Sequence, residues 1–314
     1  MVLRSPAVTL KPPTGVQRDQ PLERLTTIRT GGRAEFFARP QTVAELQSLL
    51  AWAADAALQV GVVGSGSNLL VADEGVRGLV LKLDGELTAI VPDGGVGITC
   101  GGGARLPAVA AAAARAGLAG IEFGVSIPGT VGGAVRMNAN AYGGELAAVI
   151  EWVDVVSAAR TERRAPAELG FAYRQSNLAP GEVVARARLR LRPAQAGALR
   201  AELAELRRRR HEAQPSGVRT FGSTFKNPGG PLAQGRTAGQ LLDAAGCRGL
   251  SVGGASFSEK HANFIENAGD ATTADVVALM AAGRERVRER FGIELEPEVQ
   301  VLGPVSLPGD WSGA

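Results

Sequence analysis

Cysteine and histidine are scarce in this chain of 314 residues, which has two of each. Cys100 and Cys247 lie far apart, and there is neither a CxxC motif nor a cluster of Cys and His. These absences argue against a disulfide framework and against a zinc site, so we predict no metal. A Ser-His-Asp hydrolase would have to use His211 or His261 without the usual GxSxG signature, which argues against that class.

The common nucleotide-binding signatures are also missing. No Gly-Lys pair occurs, which excludes a Walker P-loop. Gly64-Ser65-Gly66 and Gly95-Val96-Gly97 both lack the third glycine of a Rossmann GxGxxG. No run of 18 apolar residues occurs, so we predict no membrane insertion. The N-terminal segment has no apolar signal-peptide core, and we expect a cytoplasmic protein.

Lysine and aromatic residues are few as well. Of 34 basic residues only Lys11, Lys82, Lys226 and Lys260 are lysines, and 31 acidic residues leave a net charge of +3. Aromatic residues make up 4% of the chain. Nucleic-acid binding needs a clustered basic surface, and single-strand binding adds stacking aromatics, so we predict no nucleic-acid partner. The run Arg207–Arg210 is open to two interpretations, a solvated helix face or a basic collar for a phosphorylated substrate.

Helix and strand patterns alternate along the chain, which predicts an α+β protein. The patterns indicate helices at 42–58, 105–117, 196–213, 237–246 and 272–291, the last closed by Gly292. Strands are predicted at 60–63, 79–83, 151–156 and 182–191. The break at Gln214–Gly217 is the strongest candidate for a domain boundary.

Two glycine-rich loops have the composition of anion-binding loops. The first comprises Gly64, Ser65, Gly66, Ser67, Asn68 and Leu69 after a predicted strand, and the second, Ile127–Ala134, includes Gly129, Thr130, Gly133 and Ala134. Closely spaced glycines let backbone N–H groups turn toward an anion, and Ser and Asn add donors. Either loop alone could equally be a tight turn, but the two together predict one extended ligand with a pyrophosphate.

Several further segments carry chemistry-bearing residues at unusual density. The segment 221–228 presents Ser223, Lys226 and Asn227, and the segment 258–264 presents Lys260, His261 and Asn263. His261 could also be a hydrogen-bonded structural imidazole. Tyr142 and Tyr173 flank motif-like residues, and Glu296 and Glu298 surround a proline near the C-terminus.

Seven segments in collinear order resemble the UDP-N-acetylenolpyruvoylglucosamine reductase family. They lie at 26–36, 62–71, 120–145, 171–178, 221–228, 253–276 and 291–303. One such segment would be weak support, but together they span nearly the whole chain. The spacing from Arg174 to Ser223 resembles the shorter form of the family, without the tyrosine-bearing insertion. Asn140 stands where the family motif has glycine.

The resemblance implies a two-subdomain FAD-binding fold of the vanillyl-alcohol-oxidase type, followed by an α+β substrate-binding domain. We expect an N-terminal arm at 1–20, subdomains at 21–100 and 101–213, the substrate domain at 214–303 and a flexible tail at 304–314. FAD would bind noncovalently, since no histidine precedes His211. The loop Gly64–Leu69 would bind its diphosphate, and the loop Ile127–Ala134 would run beside the isoalloxazine.

The resemblance also implies the reaction. NADPH would reduce FAD, and the reduced flavin would pass a hydride to UDP-N-acetylglucosamine enolpyruvate. Arg174 and Glu298 would lie at the enolpyruvyl carboxylate, and Ser223 would be the proton donor. The candidates for contact with the substrate are Tyr142, Lys226, Asn227, Lys260, His261 and Asn263. We expect a monomer.

Two other functions compete with this one. A different FAD oxidoreductase of the same fold would bind flavin but leave the enolpyruvyl ether untouched. A nucleotide- or RNA-binding protein built on the Arg207–Arg210 run would bind no flavin.

Overall fold

The computed structural model describes residues 11–306. The α-helices are α1 (Val43–Asp55), α2 (Leu106–Arg115), α3 (Val131–Arg136), α4 (Ala196–Ala213), α5 (Ala238–Ala244) and α6 (Thr273–Phe291). The strands are β1 (Gln17–Pro21), β2 (Arg33–Ala38), β3 (Val60–Val62), β4 (Leu69–Val71), β5 (Val76–Leu81), β6 (Ile90–Pro92), β7 (Gly97–Gly101), β8 (Leu118–Ala119), β9 (Asn140–Ala141), β10 (Gly144–Glu145), β11 (Ile150–Val156), β12 (Thr161–Arg164), β13 (Val183–Arg190), β14 (Arg192–Pro193), β15 (Ser251–Val252), β16 (Ala255–Phe257), β17 (Ile265–Asn267) and β18 (Gln300–Leu302).

Threonine caps begin three of the helices at the positions that the sequence predicts. The hydroxyls of Thr42, Thr237 and Thr272 each accept the backbone N–H three residues on. The charged helix α4 has the predicted bounds, and α6 ends at Gly292, whose φ of +64° is the left-handed conformation that glycine tolerates.

Three sheets form the centres of three regions. The first, in the order β1-β2-β5-β3, packs against α1, and the second is the antiparallel sheet β12-β11-β13-β7-β6, whose region includes α2 and α4. The third is the antiparallel sheet β15-β16-β17, which shares a core with α5 and α6. Each sheet is covered on one face by helices, as in an α+β protein.

The predicted boundaries of the N-terminal arm and the first subdomain differ from the structure. Residues 1–10 lie outside the described residues, but β1 pairs with β2, so residues 17–20 belong to the first sheet rather than to an arm. The boundary expected at 100/101 cuts β7, which pairs with β13 of the second sheet. The second subdomain therefore begins before β6, because neighbours in a sheet can be far apart in sequence. Of the predicted tail 304–314, residues 307–314 lie outside the described residues.

The C-terminal region contacts the first subdomain at three points. Strand β18 pairs in parallel with β4, and Asn267 donates to the carbonyl of Ile28 at 2.8 Å. Helix α6 begins against the first subdomain, since both carboxylate oxygens of Asp73 accept N–H groups of its first turn, from Thr273 at 2.9 Å and Ala274 at 3.0 Å. The C-terminal region is thus joined to the first subdomain by strand pairing and by side-chain hydrogen bonds.

No helix within residues 11–306 is long and apolar enough to cross a membrane.

The cap that Asp73 provides to α6 gives a first testable prediction. Asp73→Ala leaves two N–H groups of α6 without their acceptor and removes a negative charge from its N-terminus. We expect the free energy of unfolding to fall by about 1–2 kcal/mol. The control is Glu74→Ala, which removes the same charge from the next, exposed residue. Equal midpoints of urea unfolding for the two variants would show that the cap is unimportant.

Candidate active site

The two glycine-rich loops lie against each other. Ser67 Oγ donates to the carbonyl of Pro128 at 2.9 Å, and Ser65 Oγ donates to the same oxygen. A Cβ on Gly64 would approach Thr130 Oγ1 to 2.5 Å, so only glycine fits at this contact. The convergence that the sequence predicts, of two loops about sixty residues apart, is therefore present in the structure.

Backbone N–H groups of both loops are free to bind a ligand. Within residues 11–306, none of the five consecutive N–H groups of residues 64–68 donates to a protein acceptor. The same holds for the N–H groups of Gly129 and Thr130 across the contact. Backbone donors are rarely left without a partner in a folded protein. A group of free N–H donors in a glycine-rich loop fits a diphosphate, which only accepts hydrogen bonds.

The side chains of these loops play a different part from the one expected. The hydroxyls of Ser65 and Ser67 already donate to Pro128, and the amide of Asn68 donates to the carbonyl of Glu298 at 3.2 Å. Ala134 is 3% exposed, and its N–H bonds to Thr130 in the first turn of α3, so it faces the core rather than the cleft. The loops can therefore bind an anion through their backbone, while their side chains hold the protein together.

Arg174 and Glu298 form an ion pair between two regions of the chain. Arg174 Nε donates to Glu298 Oε1 at 2.6 Å, and the side chains are only 17% and 14% exposed. Burial raises the pKa of Glu298, while the neighbouring charges of Arg174 and Lys226 act in the opposite direction. The structure thus brings together two of the three predicted catalytic residues.

The turn that carries Arg174 is strained, and hydrogen bonds with the segment 136–138 hold it in place. Arg174 has a φ of +56°, a conformation that costs a non-glycine residue of order 1 kcal/mol or more. Asn138 Nδ2 donates to the carbonyl of Ala172 at 3.1 Å, Arg136 donates to Leu178 at 3.2 Å, and Ser176 Oγ donates back to Arg136 at 2.9 Å. Sequence reasoning missed Arg136 and Asn138, although both lie in the motif at 120–145.

Ser223 lies on an extended segment between the segment 258–264 and the C-terminal segment that carries Glu298. Ser223 pairs with Phe264 on one side, while Phe225 pairs with Pro297 on the other. The N–H of Glu298 donates to the carbonyl of Thr224 at 2.8 Å, which places Ser223 one residue from a direct contact with the Glu298 backbone. The half-buried hydroxyl of Ser223 has no hydrogen-bond partner among the described residues, so it is free to act on a ligand.

Three of the six predicted substrate contacts have structural roles. Asn263 is 4% exposed, and its amide both donates to and accepts from the backbone of Phe225. Lys260 Nζ donates to the carbonyl of His211 at the end of α4, at 2.6 Å. His261 Nδ1 accepts the N–H of Asn263 at 3.2 Å, and burial lowers the pKa of this imidazole. These observations favour the interpretation of His261 as a hydrogen-bonded structural imidazole.

The other three remain candidates for substrate contact. Lys226 lies on the segment that carries Ser223, and its Nζ is 3.3 Å from Glu296 Oε2. The N–H of Asn227 donates to the Tyr173 hydroxyl at 3.4 Å, while its side-chain oxygen accepts the N–H of Ala238 at the start of α5. Tyr142 is 46% exposed in the loop after α3.

The run Arg207–Arg210 is mainly a solvated helix face. Arg208 pairs with Glu205 and Glu212, and Arg209 pairs with Glu205, all on α4. Arg210 differs, because it is half-buried and donates to the carbonyl of Ser126 just before the second glycine-rich loop. Burial lowers the pKa of Arg210. Arg210 thus fits neither interpretation of the run, because it holds the backbone that leads into the second glycine-rich loop.

Comparisons with known proteins agree with this geometry. Residues 34–164 match an FAD binding domain, and residues 214–302 match the C-terminal domain of UDP-N-acetylenolpyruvoylglucosamine reductase. A relative from Symbiobacterium thermophilum, UDP-N-acetylenolpyruvoylglucosamine reductase 2, is 45% identical over 94% of both chains. The chain belongs to the UDP-N-acetylenolpyruvoylglucosamine reductase family. A second family member, from Rubrobacter xylanophilus, is 44% identical over 91% of this chain and 94% of its own.

A solved structure confirms the fold of the family. The crystal structure of UDP-N-acetylenolpyruvylglucosamine reductase from Thermus caldophilus superposes with a TM-score of 0.78 at 39% identity, covering 91% of this chain and 98% of that one. The predicted family, the α+β fold with an FAD-binding domain, the enzyme class and the cofactor are confirmed. Asn140, which replaces the glycine of the family motif, has no positive φ, so a side chain fits there without strain.

Gly66 gives a test of the first loop as an FAD site. Gly66 has a φ of +69°, and a Cβ there would overlap the carbonyl of Leu25, so Gly66→Ala must displace the loop. We expect the affinity of the apoprotein for FAD, measured by quenching of flavin fluorescence, to fall at least about tenfold, because several N–H donors shift together.

Gly94→Ala is the matched control for this variant. Gly94 also has a positive φ, +80°, but nothing lies within 4 Å of its Cβ position. The Gly94→Ala variant should bind FAD as the unaltered protein does. Stoichiometric FAD in the Gly66→Ala variant would remove the loop from the site.

Proposed function

We propose that the protein reduces the enolpyruvyl ether of UDP-N-acetylglucosamine enolpyruvate to UDP-N-acetylmuramate with NADPH, in peptidoglycan precursor synthesis. The observation that carries the proposal is the contact between Arg174 and Glu298 beside the Ser223 segment, next to a loop with free backbone donors. The family membership supports the same reaction. When bound, FAD supplies a hydride, taken from NADPH, to the β-carbon of the enolpyruvyl group.

Arg174 is suited to bind the carboxylate of the substrate. Its Nε is held by Glu298, while neither Nη group has a hydrogen-bond partner among residues 11–306. A guanidinium presents parallel N–H groups that match the two oxygens of a carboxylate. Negative charge that develops on the α-carbon and carboxylate during reduction is therefore stabilised where it forms.

Ser223 would donate the proton that the α-carbon requires. An alcohol is a weak acid, but an enolate is a strong base, and nearby cations favour loss of the proton. Lys226 is three residues from Ser223 and contributes a positive charge to the Glu298 side of the site. The Ser223 alkoxide recovers its proton from water, so the residue is unchanged after each turnover.

Glu298 would keep Arg174 in place. The carboxylate accepts the hydrogen bond from Arg174 Nε, so both Nη groups remain available to the substrate. Burial raises the pKa of Glu298, and the charges of Arg174 and Lys226 oppose that shift, which fits a carboxylate held as the partner of Arg174; assistance in protonating the enol would be a second role for the same group.

The proposal includes the reducing interior of the cell as the site of reaction, with the protein acting in the cytoplasm as a monomer. Both cysteines, Cys100 and Cys247, are buried free thiols, as is usual in a reducing compartment. Burial raises the pKa of Cys100 to about 12, so this thiol is unreactive.

Turnover tests the function directly. Purified protein with FAD and NADPH is given UDP-N-acetylglucosamine enolpyruvate, with UDP-N-acetylglucosamine as the control that lacks the reacting group. We expect NADPH oxidation with the first compound only. A flavin that is reduced by NADPH and never re-oxidised by the enolpyruvyl ether would instead support another FAD oxidoreductase of this fold.

Ser223→Ala separates the two halves of the reaction. FAD binding and flavin reduction by NADPH should be unchanged, because neither needs a proton at the α-carbon. Re-oxidation of the flavin by substrate, followed by stopped-flow absorbance, should slow by roughly 10²–10⁴-fold. Ser251→Ala, on exposed β15 of the same region, is the control. Near-normal re-oxidation in Ser223→Ala would end the assignment of this residue as proton donor.

Arg174→Lys tests carboxylate binding. The ammonium keeps the charge but loses the planar pair of N–H groups. We expect re-oxidation by substrate to slow at least about tenfold while reduction by NADPH is nearly unchanged. Equal slowing of both half-reactions would indicate that Arg174 has a structural role.

A further inference from the structure

Lys82 is a half-buried cation directly behind the first glycine-rich loop. It follows β5, and its N–H bonds to the carbonyl of Ala38 at the end of β2. Its Nζ donates to the carbonyl of Gly64 at 2.5 Å. The family resemblance and the sequence motifs gave it no role, and the reaction described above does not use it.

The surroundings of Lys82 are unfavourable for a cation that serves the fold alone. Within residues 11–306, Lys82 has no carboxylate within ion-pair distance. Arg39, Arg105 and Asp84 are the charged groups near enough to act on it. Burial, reinforced by the two arginines, lowers the pKa of Lys82. A half-buried cation with two cationic neighbours is costly unless an anion joins it.

The contact with Gly64 fixes the direction of a neighbouring donor. In a trans peptide the C=O and the following N–H point to opposite sides of the plane. With the carbonyl of Gly64 turned to Lys82, the N–H of Ser65 points away from Lys82. That N–H is one of the five without a protein acceptor.

We propose that Lys82 is a positioning residue for FAD, which holds the Gly64 carbonyl so that the Ser65 N–H faces the cofactor diphosphate. The proposal rests on FAD binding at this loop. The ammonium acts through the peptide behind the loop, and its charge is balanced when the diphosphate binds. Arg39 and Arg105 add to the positive potential without contacting the loop carbonyl.

The matched variants are Lys82→Met and Arg39→Met. Methionine is close to lysine in length and lacks both charge and donor, so Lys82→Met removes the Gly64 contact. Arg39→Met removes one charge from the same neighbourhood. Arg39 is exposed, and its ion pair with Asp84 is long, at 3.8 Å. Lys82→Arg restores the charge with a bulkier donor. Lys82→Gln replaces Lys82→Met if the latter does not fold, as judged by circular dichroism of the apoprotein.

The measured quantity is the dissociation constant of FAD from the apoprotein, by flavin fluorescence and without substrate or NADPH. We expect Lys82→Met to weaken FAD binding about 10- to 100-fold, as for loss of a charge-assisted hydrogen bond. Lys82→Arg should recover part of the loss, and Arg39→Met should stay within about threefold of the unaltered protein, as for a distant screened charge.

Two outcomes would overturn the inference. Equal weakening of FAD binding in Lys82→Met and Arg39→Met would mean that charge alone matters and that the Gly64 contact does not. Alternatively, Lys82→Met could bind FAD within twofold of the unaltered protein. If the unaltered protein itself binds no FAD, the proposed function fails and this inference fails with it, so the two failures are distinguished by the first measurement.

Discussion

The parallel pairing of β18 with β4 is the constraint on which the site depends. Gln300 lies opposite Leu69, so Glu298 comes to rest beside the loop that precedes β4, where Asn68 donates to its carbonyl. The same C-terminal segment pairs with the Ser223 segment through Pro297 and Phe225. One strand of three residues therefore places the carboxylate of Glu298, the hydroxyl of Ser223 and the backbone donors of the first loop within one neighbourhood. Together with the hydrogen bond from Asn267 to Ile28 and the cap of α6 by Asp73, this pairing fixes the C-terminal region relative to the first glycine-rich loop.

The ion pair between Arg174 and Glu298 is better explained by a part in the reaction than by a contribution to the stability of the fold. Removing two charges from water costs several kcal/mol per ion, and a buried pair often contributes little net stability. The left-handed backbone at Arg174 adds further strain. The surrounding hydrogen bonds from Asn138, Arg136 and Ser176 hold this turn in spite of both costs. A charged group held rigidly in a partly dry cleft acts on developing charge without first having to reorganise.

Local features of the fold could be predicted from the sequence, and non-local ones could not. The threonine caps, the bounds of α4 and the glycine at the end of α6 depend on neighbouring residues, and all were found. The assignment of β7 to the second sheet and the cap of α6 by Asp73 depend on contacts across about 90 to 200 positions, which no local pattern contains. The site shows the same division. The motifs identified the correct segments, but whether Asn263 faces a ligand or the Phe225 backbone depends on packing.

Two of the four lysines show why residue type alone did not separate ligand contacts from structural ones. Lys82 and Lys260 each donate to a single main-chain carbonyl, of Gly64 and His211. An ammonium is a compact donor that can approach one oxygen from any direction, whereas a guanidinium is broad and planar and suits two oxygens. In a chain that uses arginine for most of its positive charges, lysine at these two places fits the geometry of a lone carbonyl. Both lysines fix a stretch of backbone, and in the role proposed for Lys82 the N–H groups of the backbone that it holds are what an anionic cofactor can bind.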